Sequence, residues 1–265
     1  MKHHSRQDIN KLIAQHGLLP LFNPDNLEVC QHVITAAYAG GVRLFECTNR
    51  SSNALAIFKQ LVPFVKSNLP DLILGAGTIM DEKSALEFYE AGAQFIVSPV
   101  ISQDVAEFCK ARDVFWCPGA ATLNEIINAQ NMGADLVKIF PANFAGGPEF
   151  VKAIKAPCPW INVMPTGGVD GSEKNLRAWF DAGVACVGIG SQLFTKDILA
   201  AHDYKLLKNK TQEIVDTIQI IKTGLAKKQA ASSWKNGTAS STWIYWIHRH
   251  SSCFPTEPWK ISGCC

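Results

Sequence analysis

The sequence lacks any apolar run long enough to cross a bilayer, and its N-terminus lacks the apolar core of a signal peptide. No basic run interleaves with aromatic residues, and the 265-residue chain carries a formal net charge of only +2. This balance argues against a nucleic-acid groove or an anionic membrane surface, but it leaves room for a small anionic substrate. We therefore expect a cytoplasmic protein with no nucleic-acid partner and no membrane partner.

The sequence also lacks Cys-x-x-Cys pairs, although it contains nine cysteines. The cysteines are scattered through strand-like and helix-like segments, which is typical of reduced, buried thiols and not of a disulfide framework or a zinc site. The seven histidines lie mostly away from the ends of the strand-like runs, and His248 and His250 lie in a region without clear periodicity. We therefore expect no metal site.

What the sequence does contain is a regular alternation of short strand-like runs with amphipathic stretches of helical spacing. Several of these stretches end in Ala-Gly just before the next strand, where glycine can adopt the left-handed conformation that ends a helix. Strand followed by helix, repeated eight times, predicts an α/β protein with a single (β/α)8 TIM barrel, because an open doubly wound sheet usually has about five or six strands. The predicted strands are Leu18–Phe22, Val42–Glu46, Leu72–Leu74, Gln94–Ser98, Val114–Cys117, Asp135–Ile139, Ile161–Met164 and Cys186–Ile189.

The character of the sequence changes near residue 224. Residues 1–223 are assigned to the barrel, and residues 224–265 to an irregular C-terminal extension that holds four of the seven tryptophans. Three interpretations stay open for this extension: a disordered or frameshift-like segment, an element packed on the barrel or at a subunit interface, and an aromatic segment that binds a membrane or a partner.

A lysine stands in the middle of the apolar run Asp135-Leu-Val-Lys-Ile-Phe-Pro141. Taking an ammonium out of water favours the neutral amine, which is the nucleophile that condenses with a ketone. Lys138 is therefore a candidate for Schiff-base chemistry. The alternative is a strand-end lysine whose stem lies along apolar surface while its charge reaches water.

Glu46 ends the predicted strand Val42–Glu46 on the same face as Val42 and Leu44, so that a carboxylate caps an inward apolar row. In a barrel, functional residues lie at the C-terminal ends of the strands, which places Glu46 opposite Lys138 as a proton-transfer partner. Arg50 follows in the loop, and its planar fork suits a carboxylate. Taken singly, each of the two residues also fits an ordinary solvated loop position.

Glycine turns end the last two predicted strands, in Pro165-Thr-Gly-Gly-Val169 and Gly188-Ile-Gly-Ser191. Each could be a simple tight turn, but together they occur where this fold often binds phosphate. Glycine permits close approach to backbone N–H groups, a following helix N-terminus adds a favourable dipole, and Thr166 or Ser191 adds a hydroxyl. A further glycine turn, Gly75-Ala-Gly-Thr78, places Thr78 where it can help bind a carboxylate.

The chain as a whole resembles the 2-keto-3-deoxy-6-phosphogluconate (KDPG) aldolase family. The resemblance covers residues 8–200 and rests on segments that occur in the family's order. These are Gly-Val-Arg-Leu-Phe-Glu46-Cys-Thr-Asn-Arg50, Gly-Ala-Gly-Thr78, Phe95-Ile-Val-Ser-Pro99, Cys117-Pro-Gly119, Lys138-Ile-Phe-Pro-Ala142, Pro-Thr-Gly-Gly168 and Gly-Ser191.

The resemblance implies a class I aldolase without metal or cofactor, usually a homotrimer, that cleaves KDPG to pyruvate and glyceraldehyde 3-phosphate. Many members also accept 4-hydroxy-2-oxoglutarate (KHG), which yields pyruvate and glyoxylate. The implied roles are Schiff-base lysine for Lys138, general acid/base for Glu46, carboxylate contacts for Arg50 and Thr78, pocket wall for Pro99, and phosphate contacts for Gly167, Gly168, Gly190 and Ser191. Thr166 is a further predicted substrate-binding residue, because its hydroxyl belongs to the same glycine turn. Asn49 departs from the leucine of some members, which bears on the choice among sugar-acid substrates.

Three alternatives stay open at this point. The phosphogalactonate analogue of KDPG, which differs in stereochemistry at C4, is a second possible substrate. A phosphate-binding barrel isomerase or synthase explains the glycine turns but gives no reason for a lysine facing a glutamate. A non-catalytic sugar-phosphate binder explains the pocket without turnover.

Overall fold

The computed structural model describes residues 4–235 of the chain. Strands and helices alternate along it, each strand being followed by a helix except where two strands are consecutive. The strands are β1 (Leu18–Phe22), β2 (Leu44–Thr48), β3 (Ile73–Gly77), β4 (Phe95–Val97), β5 (Phe115–Cys117), β6 (Gly119–Ala120), β7 (Val137–Ile139), β8 (Val163–Pro165) and β9 (Val187–Ile189). The helices are α1 (Arg6–His16), α2 (Leu27–Ala39), α3 (Ala54–Asn68), α4 (Glu82–Glu90), α5 (Gln103–Ala111), α6 (Leu123–Asn131), α7 (Gly147–Lys155), α8 (Glu173–Asp181), α9 (Lys196–Ala200) and α10 (Tyr204–Lys235).

All strand pairs are parallel, and they form two sheets with the orders β5-β4-β3-β2-β1-β9 and β6-β7-β8. The sheets adjoin at Pro118, between β5 and β6, and at a parallel bridge between Thr166 and Gly188. Proline has no N–H, so the ladder with β4 stops there while the Pro118 carbonyl accepts from the Lys138 N–H at 2.8 Å. The predicted (β/α)8 barrel is confirmed, with its fifth strand split into β5 and β6.

The eight predicted strands all occur, but three of them run further than the sequence suggested, and one of these is β8, which ends one residue later, at Pro165. β2 extends to Thr48 and β3 to Gly77, in continuous register from Leu44 opposite Ile73 to Thr48 opposite Gly77. The expected Gly75–Thr78 turn is therefore wrong in part, because Gly75 and Gly77 belong to β3 and only Thr78 leaves the strand. Gly75 is small because the ring of Phe95 occupies the space of a side chain there.

The barrel interior is filled by inward side chains from the strands, and α1 closes its N-terminal end with Ile9 and Ile13. α1 begins with a capping box in which the Ser5 side chain accepts from the Asp8 N–H. Further members of this core are Leu19, Leu44, Ile73, Phe95, Val97, Phe115, Cys117, Leu136, Met164 and Cys186. The core thus fills the N-terminal half of the barrel interior.

The expectation of reduced, buried thiols is confirmed for the cysteines in the described range. None of them is in a disulfide, and all except the partly buried Cys158 are buried. Burial raises the pKa of the thiols of Cys30, Cys109 and Cys186 to about 12, so these groups stay protonated and unreactive near neutral pH.

An ion pair ties α1 to the start of β7. Arg6 Nε lies 2.9 and 3.0 Å from the two carboxylate oxygens of Asp135, and Arg6 Nη2 donates to the Gly133 carbonyl at 2.6 Å. The Asp135 side chain is only 8% exposed and also accepts from the Trp116 N–H at 3.0 Å. Burial raises the pKa of Asp135, and the hydrogen bonds from Trp116 and Arg6 oppose that rise.

We predict that Arg6→Ala lowers the free energy of unfolding by about 2 kcal/mol at neutral pH, because it strands a buried carboxylate. Losing Arg6 should raise the pKa of Asp135 further above its ordinary value of 3.8. A raised native pKa means that the native state holds the proton more tightly than the unfolded state, so the penalty should grow as pH rises above that value and fade as pH falls towards it.

Urea unfolding at pH 7.5 and at pH 4.5 measures this difference. Arg177→Ala is the matched control, because Arg177 pairs with Glu173 on an exposed helix surface and its loss should change stability little at either pH. An equal loss of stability in Arg6→Ala at both pH values would contradict a role for the stranded carboxylate.

By its internal contacts the chain divides into one unit of Met1–Lys222 and a second of Thr223–Cys265. In the described part of the predicted extension, α10 continues to Lys235, so residues 224–235 are helical and not irregular. The rest of the extension, residues 236–265, lies outside the described residues, and its predicted character stays a prediction. Within residues 4–235, no helix is both long and apolar enough to cross a membrane.

Candidate active site

Lys138 and Glu46 face each other inside the barrel. Lys138 lies in the middle of β7 and Glu46 in the middle of β2, and Lys138 Nζ is 3.8 Å from Glu46 Oε1. Their side chains are 3% and 0% exposed. The expected juxtaposition is therefore present, and the lysine does not reach out to water as the alternative interpretation required.

The pairing of β7 with its two neighbouring strands determines the surroundings of Lys138. Its main chain pairs with Gly119 of β6 and Met164 of β8, which fixes where the side chain starts. Its ammonium lies 5.1 Å from the centre of the Phe140 ring, within the range of a cation–π contact. An amine held here has one carboxylate and one aromatic face beside it.

Glu46 has an unusual hydrogen-bonding state. Among the described residues, neither of its carboxylate oxygens has a hydrogen-bond partner, although both atoms are buried. Buried carboxylates normally accept hydrogen bonds from fixed donors, and exceptions mark strained or catalytic groups. The carboxylate therefore keeps acceptor capacity for a bound molecule.

Gly77 makes room for this carboxylate. A Cβ on Gly77 would overlap Glu46 Oε1 and lie 2.6 Å from its Cδ, and the backbone of Gly77 is not in the left-handed region. Sequence reasoning assigned Gly77 to a turn, so its contact with Glu46 was missed. No local pattern reports it, because the two residues meet through the pairing of β2 with β3.

We predict that Gly77→Ala reduces kcat by about 10²-fold, because a displacement of about 1 Å in a catalytic group is enough for such a loss. Steady-state cleavage assays measure it. Gly224→Ala is the matched control, since a Cβ at Gly224 meets nothing within 4 Å and should leave kcat as it is. Full activity in Gly77→Ala would show that activity does not depend on the space that Gly77 leaves for the Glu46 carboxylate.

A cavity of about 680 Å³ opens at the C-terminal ends of the strands. Six predicted binding residues line it, whereas Lys138, Glu46, Thr78 and Pro99 do not. The buried pair of Lys138 and Glu46 lies next to the cavity all the same, because Phe140 and Thr48, two residues further along the chain from each, are part of its wall. The six residues are Arg50, Thr166, Gly167, Gly168, Gly190 and Ser191.

The turn after β8 is open towards the cavity. Gly167 and Gly168 have φ angles of 92° and 77°, which L side chains rarely adopt. Asn143, which sequence reasoning missed, lies behind the turn and its Cβ would be 2.5 Å from a Cβ on Gly168. The turn therefore needs glycine both for its conformation and for its packing.

Thr166 lies beside Gly188, where a Cβ on the glycine would overlap the threonine hydroxyl. The hydroxyl is buried and has no hydrogen-bond partner among the described residues. Ser191, in contrast, is exposed at the cavity. The sequence predicted a helix N-terminus beside each of these turns, but the helices begin further along the chain, α8 at Glu173 and α9 at Lys196. The hydrogen-bond donors that the turns offer to an anion are therefore their backbone N–H and hydroxyl groups.

Arg50 and Thr78 contact each other at the rim. Arg50 Nε donates to Thr78 Oγ1 at 3.2 Å, and Arg50 is exposed. Thr78 has a φ of 59°, which is costly for a β-branched residue and is found most often at functional sites. The Pro99 carbonyl occupies the space that a side chain on Gly119 would take, and Gly119 is paired with Lys138.

Comparison with known proteins gives a consistent result. The family model for KDPG and KHG aldolase matches residues 9–210. The KHG/KDPG aldolase of Escherichia coli K12 is 31% identical over 77% of this chain and 93% of its own length. The chain belongs to the KDPG and KHG aldolase family.

Other members of the family lead to the same conclusion. The 2-dehydro-3-deoxy-phosphogluconate aldolase of Pseudomonas aeruginosa is 31% identical over 78% of this chain and 92% of its own length. The crystal structure of the Legionella pneumophila KDPG aldolase, with pyruvate captured as a covalent carbinolamine, has a TM-score of 0.71 and 27% identity, and covers 77% of this chain and 97% of the other. As a member of this family, the chain is an aldolase, which is a carbon–carbon lyase.

In this aldolase, three polar residues at the cavity had no place in the sequence analysis. Asn23 and Asp25 come from the loop between β1 and α2, and Gln192 follows Ser191. A strand-end position is the only sequence signal for them, and it is shared by many loop residues. Their proximity to the glycine turns follows from the pairing of β1 with β9.

Proposed function

We propose that the protein is a class I aldolase that cleaves KDPG to pyruvate and glyceraldehyde 3-phosphate, and also cleaves KHG to pyruvate and glyoxylate. The observation that carries the proposal is the buried pair of Lys138 Nζ and Glu46 Oε1, 3.8 Å apart beneath the cavity. We further propose that the protein is cytoplasmic and that it acts as a homotrimer. A measurement of its molecular mass in solution tests the homotrimer.

The reaction begins when Lys138 gives a proton to Glu46 and the neutral Lys138 amine adds to the C2 carbonyl of the substrate. The carbinolamine then loses its hydroxyl as water, for which protonated Glu46 supplies the proton. The product is an iminium ion at C2 and a Glu46 carboxylate. The iminium provides the electron sink that the cleavage step needs.

Glu46 then removes the proton from the C4 hydroxyl. The C3–C4 bond breaks, its electron pair moves through C3 to the iminium nitrogen, and the aldehyde leaves with an enamine remaining on Lys138. Glu46 returns the proton to C3, and water hydrolyses the resulting iminium to release pyruvate and the free lysine. Because neither carboxylate oxygen of Glu46 accepts a hydrogen bond from the described residues, these proton transfers break no such bond.

The substrate's two anionic ends are assigned to opposite parts of the site. Arg50 and Thr78 bind the pyruvyl carboxylate, a geometry that their mutual hydrogen bond prepares. Pro99 forms the wall beside the reacting carbons. The phosphate lies at the backbone N–H groups and hydroxyls of Thr166, Gly167, Gly168, Gly190 and Ser191.

Treatment with pyruvate and borohydride, followed by peptide mapping, tests the proposal. We expect one reduced adduct, on Lys138. Lys155 and Lys222 are internal controls, because burial lowers the pKa of each amine while the described residues give neither a carboxylate partner. An adduct spread over these lysines would mean nonspecific reductive alkylation, and no adduct on folded protein would favour a phosphate-binding isomerase or a non-catalytic binder.

A further inference from the structure

The cavity has an unusual charge distribution for a site that binds two anionic groups. Of the residues that line it, Arg50 and Asp25 are the charged ones. Asp25 is exposed to the cavity, and no ion pair within residues 4–235 involves it. Within these residues, no salt bridge therefore neutralises the Asp25 carboxylate.

The loop that carries Asp25 is held in place by its neighbours. The carbonyl of Asp25 accepts from Asn53 Nδ2 at 3.0 Å, and the carbonyl of Pro24 accepts from the Ser51 hydroxyl. Asn26 is the N-cap of α2, where its side chain accepts from the Val29 N–H at 3.0 Å. The backbone on both sides of Asp25 is thus held in place, and Asp25 lines the cavity.

The same loop adjoins the turn after β9. β1 and β9 are paired from Leu18 opposite Val187 to Pro20 opposite Ile189, so their C-terminal loops leave the barrel side by side. Leu21 packs within 3.2 Å of the position that a Cβ on Gly190 would take. Arg50 follows β2, the other neighbour of β1, and its Nε–H donates to Thr78 Oγ1 after β3.

We propose that Asp25 is a specificity-determining residue that weakens the preference of this aldolase for phosphorylated substrates. A fixed negative charge beside the glycine turns repels a phosphate dianion, whereas it accepts a hydrogen bond from a hydroxyl at the end of an unphosphorylated 2-keto-3-deoxy sugar acid. The inference rests on the proposed function, because it concerns the choice of substrate at the same site.

The test compares kcat/KM for KDPG with kcat/KM for the same sugar acid without its phosphate. In Asp25→Asn we expect the ratio of the two to rise about tenfold, and in Asp25→Lys to rise further, because the repulsion is replaced by attraction. The rise should be larger at low ionic strength than at 0.3 M salt, where charges are screened beyond about 6 Å. Glu213→Gln, which removes an exposed charge on α10 outside the cavity, should leave the ratio as it is.

A ratio in Asp25→Asn equal to that of the original protein, or one that falls, would overturn the inference. A rise of the same size in Glu213→Gln would also overturn it, since net charge alone would then be the cause. Trapping of pyruvate on Lys138 is measured in parallel on every variant. If the original protein forms no adduct, the proposed function fails; if it forms the adduct and the ratio does not move, only the role of Asp25 fails.

Discussion

Lys138→Ala should abolish cleavage, with kcat reduced by at least about 10⁴-fold, because the covalent nucleophile has no substitute in the site. Among the described residues Lys138 is the lysine paired with a buried carboxylate, and no lysine lines the cavity. Any cleavage that remains in this variant would come from substrate binding without a covalent intermediate. Coupled measurement of pyruvate release with KDPG as substrate checks the loss.

The control for this variant must separate lost chemistry from lost folding. Removing Lys138 leaves Glu46 buried without a partner, which costs about 3–5 kcal/mol of stability. Lys138→Met with Glu46→Gln removes both charges together and should be as inactive as Lys138→Ala while folding more stably. Cleavage by Lys138→Ala within about tenfold of the original rate would exclude Lys138 as the nucleophile.

Glu46→Gln should reduce kcat by about 10²–10⁴-fold, the scale for the loss of a general acid/base. Glutamine has nearly the same shape, so the space beside Gly77 stays filled and Lys138 stays in place. Borohydride should still trap pyruvate on Lys138, but more slowly, because water leaves the carbinolamine without a proton donor. Stopped-flow cleavage and timed quenching with borohydride measure the two rates separately.

A double variant tests whether Gly77 acts through the same group. If it does, Gly77→Ala in the Glu46→Gln background should cost far less than in the original protein, because the carboxylate that it displaces is already gone. Multiplicative losses would assign Gly77 a different role. A Glu46→Gln variant that retains near-normal turnover would remove Glu46 from the mechanism.

The fold was largely predictable because it repeats a local signal. Each barrel strand is a short apolar run followed by a helical period, and all eight runs became strands. The split of the fifth strand at Pro118 was not predicted. It depends on which neighbouring strand would accept a hydrogen bond from the N–H that proline lacks, and the sequence does not show this. The extension of β3 through Gly75 and Gly77 was missed since glycine signals a turn unless its neighbours are known.

Part of the site could be predicted from the sequence, and part of it could not. The face of Glu46 and the burial of Lys138 followed from strand alternation and from a charge in an apolar run, so their 3.8 Å approach was predictable once a barrel was assumed. Asn143, Gly77 and Asp25 belong to the site only through contacts with residues far away in sequence. No periodicity within one segment encodes those contacts.

The two Glu46 oxygens without hydrogen-bond partners among the described residues serve the proposed chemistry, but they lower the stability of the fold. A barrel selected for stability alone would place hydrogen-bond donors around this carboxylate, or would replace it and Lys138 with apolar side chains of similar volume. This chain instead keeps a charged pair and unsatisfied acceptors in its interior. We therefore expect apolar side chains at both positions to make the aldolase more stable and to remove the chemistry proposed for it.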